Sequence, residues 1–350
     1  MITRPNANVE RGAYSVIAYL DGETYVAEDN VGTTIKEGLV AATVLQAGAD
    51  FLPTAGGKLF LSNDVFELNT GLIVTQQAVT IEGENAGVRF YDYGTMLKST
   101  VNSIDMLTMS DRGANITNLC INGNGKTGVN GLKITNDSVA DKIMVKDCLG
   151  YGLKFTGNCS RITNSLIAGC KTGVETAAAD CWISNCNIAD DDGLPSYDMD
   201  YGVKILNGGT RILDGTHIWH AKEAAITVKS DCVIANCFID GYHKKGIVFD
   251  ASAAGINFVM IDNNFFLINN QAAANTYDAI DVTGANSAWD ARITNCTFYK
   301  TSGSTPRHCI HGSMHRLICT ECNFHDSAFT TNALGITGAG NIIADNIGHP

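Results

Sequence analysis

The sequence predicts an all-β fold, a parallel β-helix in which short strands stack coil upon coil. Three observations predict it. First, a motif of the form apolar-x-Asn/Asp-small-x-apolar recurs through most of the chain. Asp180-Cys-Trp-Ile-Ser-Asn-Cys186 and Asp231-Cys-Val-Ile-Ala-Asn-Cys237 are clear copies, followed by Ile188 and Ile239. Second, a small-apolar-x-apolar pattern interleaves with it, at Gly131–Ile134, Gly152–Phe155, Gly202–Ile205, Ala225–Val228, Gly246–Phe249 and Ala279–Val282. Each copy alternates with period two, as half-buried strands do. Third, the copies recur about every 25 residues, in the range of stacked repeats. Such strands are too short to fold alone. Stacked about 4.8 Å apart they bury one continuous core.

The Asn/Asp position is filled by Asn118, Asp147, Asn164, Asn185, Asp214, Asn236, Asp262, Asn295, Glu321 and Asp345. A coil must turn sharply between strands. Asn and Asp tolerate the left-handed conformation, and Asn can bond its copies above and below. A small or thiol-bearing residue usually follows, as at Cys186, Cys237 and Cys296, and suits a cramped corner.

In chain order, residues 1–37 read as a lead-in and hairpin. Tyr14–Leu20 and Glu23–Ala27 flank Asp21-Gly22, a strong hairpin signal. Residues 38–53 read as a capping helix. Leu39, Ala42, Val44, Leu45 and Ala49 fall roughly on one face, and Pro53 stops it. A solenoid end exposes unpaired strands, so this helix is expected to act as the lid. Residues 54–350 read as the β-helix, with long interruptions at 189–201, 266–278 and 299–308.

At its start this stretch resembles the pectate-lyase-like superfamily of right-handed parallel β-helices. Ala41-Ala42, Gln46-Ala47, Gly56-Gly57 and Leu59-Phe60-Leu61 carry the resemblance, with Val79-Thr-Ile-Glu-Gly-Glu84 matching the next strand and turn. It departs at Asn63-Asp-Val-Phe66. The resemblance implies a right-handed solenoid over residues 38–350. It is weak for activity, because the fold hosts lyases, hydrolases, epimerases, virion spikes and inert fibres. Asp190-Asp-Asp-Gly193 is similar to the paired aspartates of polygalacturonase-like hydrolases. Their Asn-Thr-Asp, Gly-His-Gly and Arg-Ile-Lys motifs are absent, so no catalytic set carries over.

Composition narrows the function. A formal net charge of −12 argues against a nucleic-acid partner. No apolar run approaches the roughly 20 residues of a membrane span. The N-terminal residues lack the apolar core of a secretion signal. The 12 cysteines invite a disulfide reading, but most sit at rung-equivalent positions, where they would point inward as small hydrophobes. Reduced stacked thiols suit synthesis in a reducing cytoplasm, a condition that a virion protein assembled inside its host meets.

Three consecutive loops are chemically rich: residues 190–201, 219–223 and 240–245. Their carboxylates Asp190, Asp191, Asp192, Asp198, Asp200, Glu223 and Asp240 are the catalytic candidates. Tyr197, Tyr201, Trp219, His220, Lys222, Tyr242, His243 and Lys244 are the substrate-binding candidates. Aromatic faces beside carboxylates suit a sugar groove, since rings stack on sugar faces and polar groups bond hydroxyls. Two carboxylates about 5–5.5 or 6.5–9.5 Å apart would hydrolyse a glycosidic bond with retention or inversion. Alternatively, Asp190, Asp192 and Asp200 would hold Ca²⁺, with Lys222, Lys244 or Lys245 as base; pectate lyases of the resembled superfamily act in that way. Ordinary solvated loop charge is the third reading. His311 and His315 have a metal-like spacing without an evident third ligand, and His217 reads as packed.

The expected function is a tail-spike-like, homotrimeric surface protein that recognises, and in one version cleaves, a cell-surface polysaccharide. Its expected location is a virion surface or the extracellular space. A free polysaccharide lyase or glycoside hydrolase is the alternative enzyme reading. A structural or adhesive β-helix assembling end to end is the non-enzymatic one.

Overall fold

The computed structural model describes residues 15–87, 94–190, 199–252, 255–268, 273, 275–301, 305–325 and 328–348. The chain divides into two compact units, residues 1–170 and 171–350.

In the first unit, Val16–Asp21 and Thr24–Asp29 pair antiparallel about Gly22, whose φ of +64° is the conformation such a turn asks of glycine. A third strand, Thr34–Gly38, joins this hairpin. It is largely exposed and carries no apolar alternation, so nothing in the sequence pattern marked it. The helix runs Ala41–Phe51 and buries Ala41, Ala42, Val44, Leu45, Gly48 and Ala49. It packs on the hairpin and on the strands Val65–Leu68 and Leu72–Val74. A Cβ on Gly48 would lie 3.2 Å from Val16 Cγ1, so the helix rests directly on the hairpin. Leu39, expected on the buried face, precedes the helix and is 74% exposed. Leu52 is extended, the conformation preferred before Pro53.

Beyond the helix the strands form three parallel ladders. In the first unit, the first ladder stacks Gly57–Leu61, Val79–Gly83, Asn115–Thr117, Val139–Asp141 and Arg161–Thr163. The second stacks Val65–Leu68, Met96–Ser99, Cys120–Thr127, Met144–Leu149 and Leu166–Ala168. The third stacks Leu72–Val74, Asp105–Met109, Asn130–Ile134 and Tyr151–Phe155. Strand Gly57–Leu61 also pairs in parallel with Val16–Ala18, which ties the hairpin to the coils.

The second unit repeats the plan. Its first ladder runs from Trp182–Ser184 to Ile342–Ala344. Its second runs from Asn187–Ala189 to Asn323–Phe324. Its third contains Thr172–Thr176, Tyr201–Ile205, Ala224–Val228, Lys245–Asp250, Ile280–Thr283, Ile310–His315 and Leu334–Thr337. This is a parallel β-helix.

Its core is made of columns in register. Ile183, Ile212, Ile234, Ile261 and Ile293 stack in one column, and Ile226, Ile247, Ile280 and Ile310 in another, all fully buried. Each such side chain contributes about 1.5–3 kcal/mol of burial. Phe266, Phe298 and Phe324 form a stack with centroids 4.6 and 5.1 Å apart, near the strand spacing.

The corner between first and second ladders is a single left-handed residue in most coils. Asn164, Asn185, Asn236 and Asn295 have φ between +50° and +57°, while at Asp214 (+47°) the following Gly215 is left-handed as well (+74°). The amide of Asn236 donates to Asp214 at 3.1 Å, and that of Asn263 donates to Asn236 at 2.8 Å. Two positions of the predicted column are misplaced. The corner between Val139–Asp141 and Met144–Leu149 is Lys142, not Asp147, and Asp147 takes its own positive φ inside a strand. After the longer strand Ile256–Asp262 the corner is Asn263, one residue beyond Asp262.

All twelve cysteines are free thiols, and all but Cys159 are buried. Burial pushes the Cys237 thiol up to about 12.

Candidate carbohydrate-binding groove

The third ladder of the second unit positions the site. Its strands alternate, so Val203, Ile226, Ile247, Ile280 and Ile310 point inward. The residues that follow form an outward column in register: Lys204, Thr227, Val248, Asp281 and His311. Residues 220–223, 241–244 and 275–279 lead into these strands and deliver side chains to the same edge.

The result is an open groove of about 430 Å³, lined by Tyr201, Glu223, Thr227, Lys244, Lys245, Val248, Asp250, Tyr277 and Thr283 among others. That volume lies in the range of small-ligand sites. Lys244 Nζ bonds both oxygens of Glu223, at 2.7 and 2.8 Å, which raises its pKa. Lys204 Nζ sits 3.8 Å from the Tyr201 ring centroid. Burial raises the Tyr201 phenol, and the Glu223 and Asp200 charges add to the shift. Tyr277 has no ring neighbour among the described residues. The Ser252 hydroxyl and then Lys229 hold Asp250 below the ordinary carboxylate value.

Lys245 leads from the groove into a buried ionic cluster. Its Nζ bonds Asp281 at 2.6 Å. Asp281 Oδ1 also holds His311 Nδ1 at 2.9 Å, and Asp278 Oδ2 lies 3.4 Å from the same nitrogen. Asp278 is 1% exposed. It takes two bonds from Arg307, at 3.2 and 2.6 Å, and one from the His308 amide at 2.9 Å. The donor atoms of Asp278, Asp281 and His311 lie within 4.8 Å of one another, close enough for a metal ion. Two carboxylates there already face two cations, however. Ca²⁺ takes six to eight oxygens, whereas this set offers an imidazole and two carboxylates already paired. The residues fit an ion-pair network better than a calcium site.

The structure distributes the predicted site over two faces. Tyr201, Glu223 and Lys244 meet in the groove. Trp219 and Asp240 lie on the second ladder instead, with His220 in the turn directly after it. There the rings pack on one another. Trp219 stacks on His217 at 5.8 Å and meets His220 edge-on at 4.6 Å, and its indole donates to Asn187 at 2.7 Å. His217 lies 3.6 Å from Asp240 and packs on Phe238, as a packed strand histidine should. Asp190 is buried at the end of strand Asn187–Ala189. Asp200 is 3.8 Å from Lys171. Lys222 is exposed and His243 half-buried. Tyr242 is 1% exposed, because the chain dips inward after Gly241 and packs the ring beneath Gly246; as folded it is core rather than a sugar contact. Asp191, Asp192, Tyr197 and Asp198 lie outside the described residues. His311 gains its carboxylate partners from a neighbouring coil, while His315 stacks on Trp289 at 4.2 Å on the first ladder.

Thr227, Asp250, Asp281 and Thr283 did not figure in the sequence-predicted site. A signal existed: each is an outward polar residue of an alternating strand, and aligning those strands puts Lys204, Thr227, Asp281 and His311 in one column.

The family described as right handed beta helix region matches residues 121–283. The chain has that fold. No curated protein sequence matches it. Among solved structures, the A-module of the Azotobacter vinelandii mannuronan C-5 epimerase AlgE6 is 14% identical with a TM-score of 0.63, covering 88% of this chain and 95% of that one. The tailspike protein of E. coli bacteriophage HK620, solved with a pentasaccharide, is 13% identical with a TM-score of 0.63, covering 91% and 64%. DFA-IIIase from Arthrobacter chlorophenolicus A6 is 14% identical with a TM-score of 0.58, covering 83% of both chains. The right-handed parallel β-helix is thus shared with the epimerase module and the tailspike protein. At these identities the likeness is one of fold. Among the described residues, no helix is long and apolar enough to cross a membrane.

Proposed function

We propose that this chain binds a carbohydrate polymer in the third-ladder groove, as a tailspike-like surface-recognition β-helix. One observation carries the reading. Two tyrosines, Tyr201 and Tyr277, share one open groove with the Glu223–Lys244 pair and Asp250. Rings stack on sugar faces while fixed polar groups bond hydroxyls. The fold likeness to a tailspike solved with a pentasaccharide supports it. A virion-surface or extracellular location and a homotrimeric state belong to the same proposal. The buried free thiols support assembly in a reducing compartment.

A glycan array, followed by calorimetry, tests the reading. Wild-type protein should bind at least one oligosaccharide class. Tyr201→Ala and Tyr277→Ala should each weaken binding by about tenfold with unfolding unchanged. No binding by wild type, or equal binding by both variants, would sink it.

The Asp281–His311 pair favours a second, enzymatic reading. The carboxylate fixes Nδ1 of the ring at 2.9 Å, and the other ring nitrogen takes no hydrogen bond among the described residues. Such a nitrogen can move a proton on a bound sugar. In that reading His311→Asn should stop the release of new reducing or unsaturated ends while binding survives.

A further inference from the structure

We infer that the groove selects a neutral sugar over a uronate, and that the Thr227 hydroxyl reads one of its hydroxyls. The inference rests on the carbohydrate-binding proposal and names the substrate class for that site.

Charge comes first. The groove is lined by two cations, Lys244 and Lys245, and two anions, Glu223 and Asp250. Every one of these charges is already paired. Lys244 is held by both Glu223 oxygens, Lys245 bonds Asp281 at 2.6 Å, and Asp250 has Lys229 at 3.2 Å. A uronate entering here would have to break one of these pairs and leave a carboxylate stranded, which is costly in a partly dry site. A neutral sugar breaks none.

The second observation is independent. Thr227 lines the groove and is 8% exposed, and its hydroxyl has no hydrogen-bond partner among the described residues. A buried unsatisfied hydroxyl is costly, and one built for a ligand's OH discriminates strongly once filled. The side chain stands in the outward column between Lys204 and Val248. In the folded chain this oxygen is itself buried; ligand binding must draw it out by a turn about χ1 between staggered wells. If Thr227 were a structural hydrogen-bonding residue, it would already have a partner.

The test uses the full chain on an array of neutral and uronate oligosaccharides matched in length, then calorimetry on the best of each. The neutral ligand should bind tighter, with affinity nearly unchanged between low and high salt. Thr227→Val should lose about tenfold in affinity, Thr227→Ser should recover most of it, and Thr227→Val should melt no lower than wild type. Tighter, salt-sensitive uronate binding would overturn the inference while leaving the carbohydrate proposal standing. So would unchanged affinity in Thr227→Val, or a lowered melting temperature, which would make the residue structural. If neither class binds, the carbohydrate proposal itself fails and this inference falls with it.

Discussion

Two of the three corners of a coil follow different rules. Between the first and second ladders the chain usually turns through one left-handed residue, as at Asn185, Asn236, Asn263 and Asn295. Between the second and third it passes through connections of differing length, from Gly150 alone to residues 241–244. The tight corner is held by its copies above and below, so a change there disturbs the register of its neighbours. The loose corner is held only at its ends. The groove residues Glu223, Lys244 and Tyr277 come from loose corners, and Tyr201 and Lys245 from the first strand position after one. The groove thus combines side chains from corners where register is not at stake with Thr227, Asp250 and Thr283 from strands where it is.

Asp278 is the sharpest challenge to that contrast, because it comes from a loose corner yet is buried like core. Asp278→Ala should cost about 1–3 kcal/mol in denaturant unfolding, since it leaves the buried His308 amide unsatisfied, while Arg307 can turn to solvent. A cost below about 1 kcal/mol would show that even this loop residue is dispensable to the coil. At the tight corner, Asn236→Ala should cost about 1–2 kcal/mol, because alanine resists a φ of +57°. Asn236→Gly should regain the backbone share of that loss but not the amide ladder. Equal losses in the two variants would place the effect in the side-chain bond to Asp214 rather than in the turn.

The smallest effect concerns acid. Asp250 titrates below the ordinary carboxylate value, so its folded pKa lies under its unfolded one. The stability it contributes is present above about pH 4 and is lost as pH falls through the folded value. The groove is open to solvent, so the contribution should amount to a few tenths of a kcal/mol. Melting curves of wild type and Asp250→Asn should therefore differ near neutrality and converge at low pH. A gap that widens in acid would reverse the sign and remove Asp250 from the account.

The coils and the helix were legible because burial enforces a period: a residue out of phase would put a polar group into the isoleucine columns. The phase slips have the same physical root. Lys142 can hold a left-handed corner without resembling Asn, and the longer strand Ile256–Asp262 shifted the turn to Asn263. The strand Thr34–Gly38 was invisible because it buries almost nothing. Within the site, loop composition drew attention to Tyr201, Glu223 and Lys244, but it merged two faces. Whether a loop side chain reaches the second or the third ladder depends on where the loop re-enters a strand. Burial of Tyr242 beside exposed Lys222 shows how little one residue's type says about that.

The thiol columns have a consequence for handling the molecule. Folded, eleven sulfhydryls are shut away from solvent, and burial raises Cys232 and Cys237 so that the reactive thiolate is scarce. Unfolded, all of them titrate near 8.5 and meet one another freely. In air, a melted chain would cross-link at random before it could rewind, so denaturation would become a ratchet and the measured transition a rate. Reductant in the cuvette restores the equilibrium on which every stability comparison above depends.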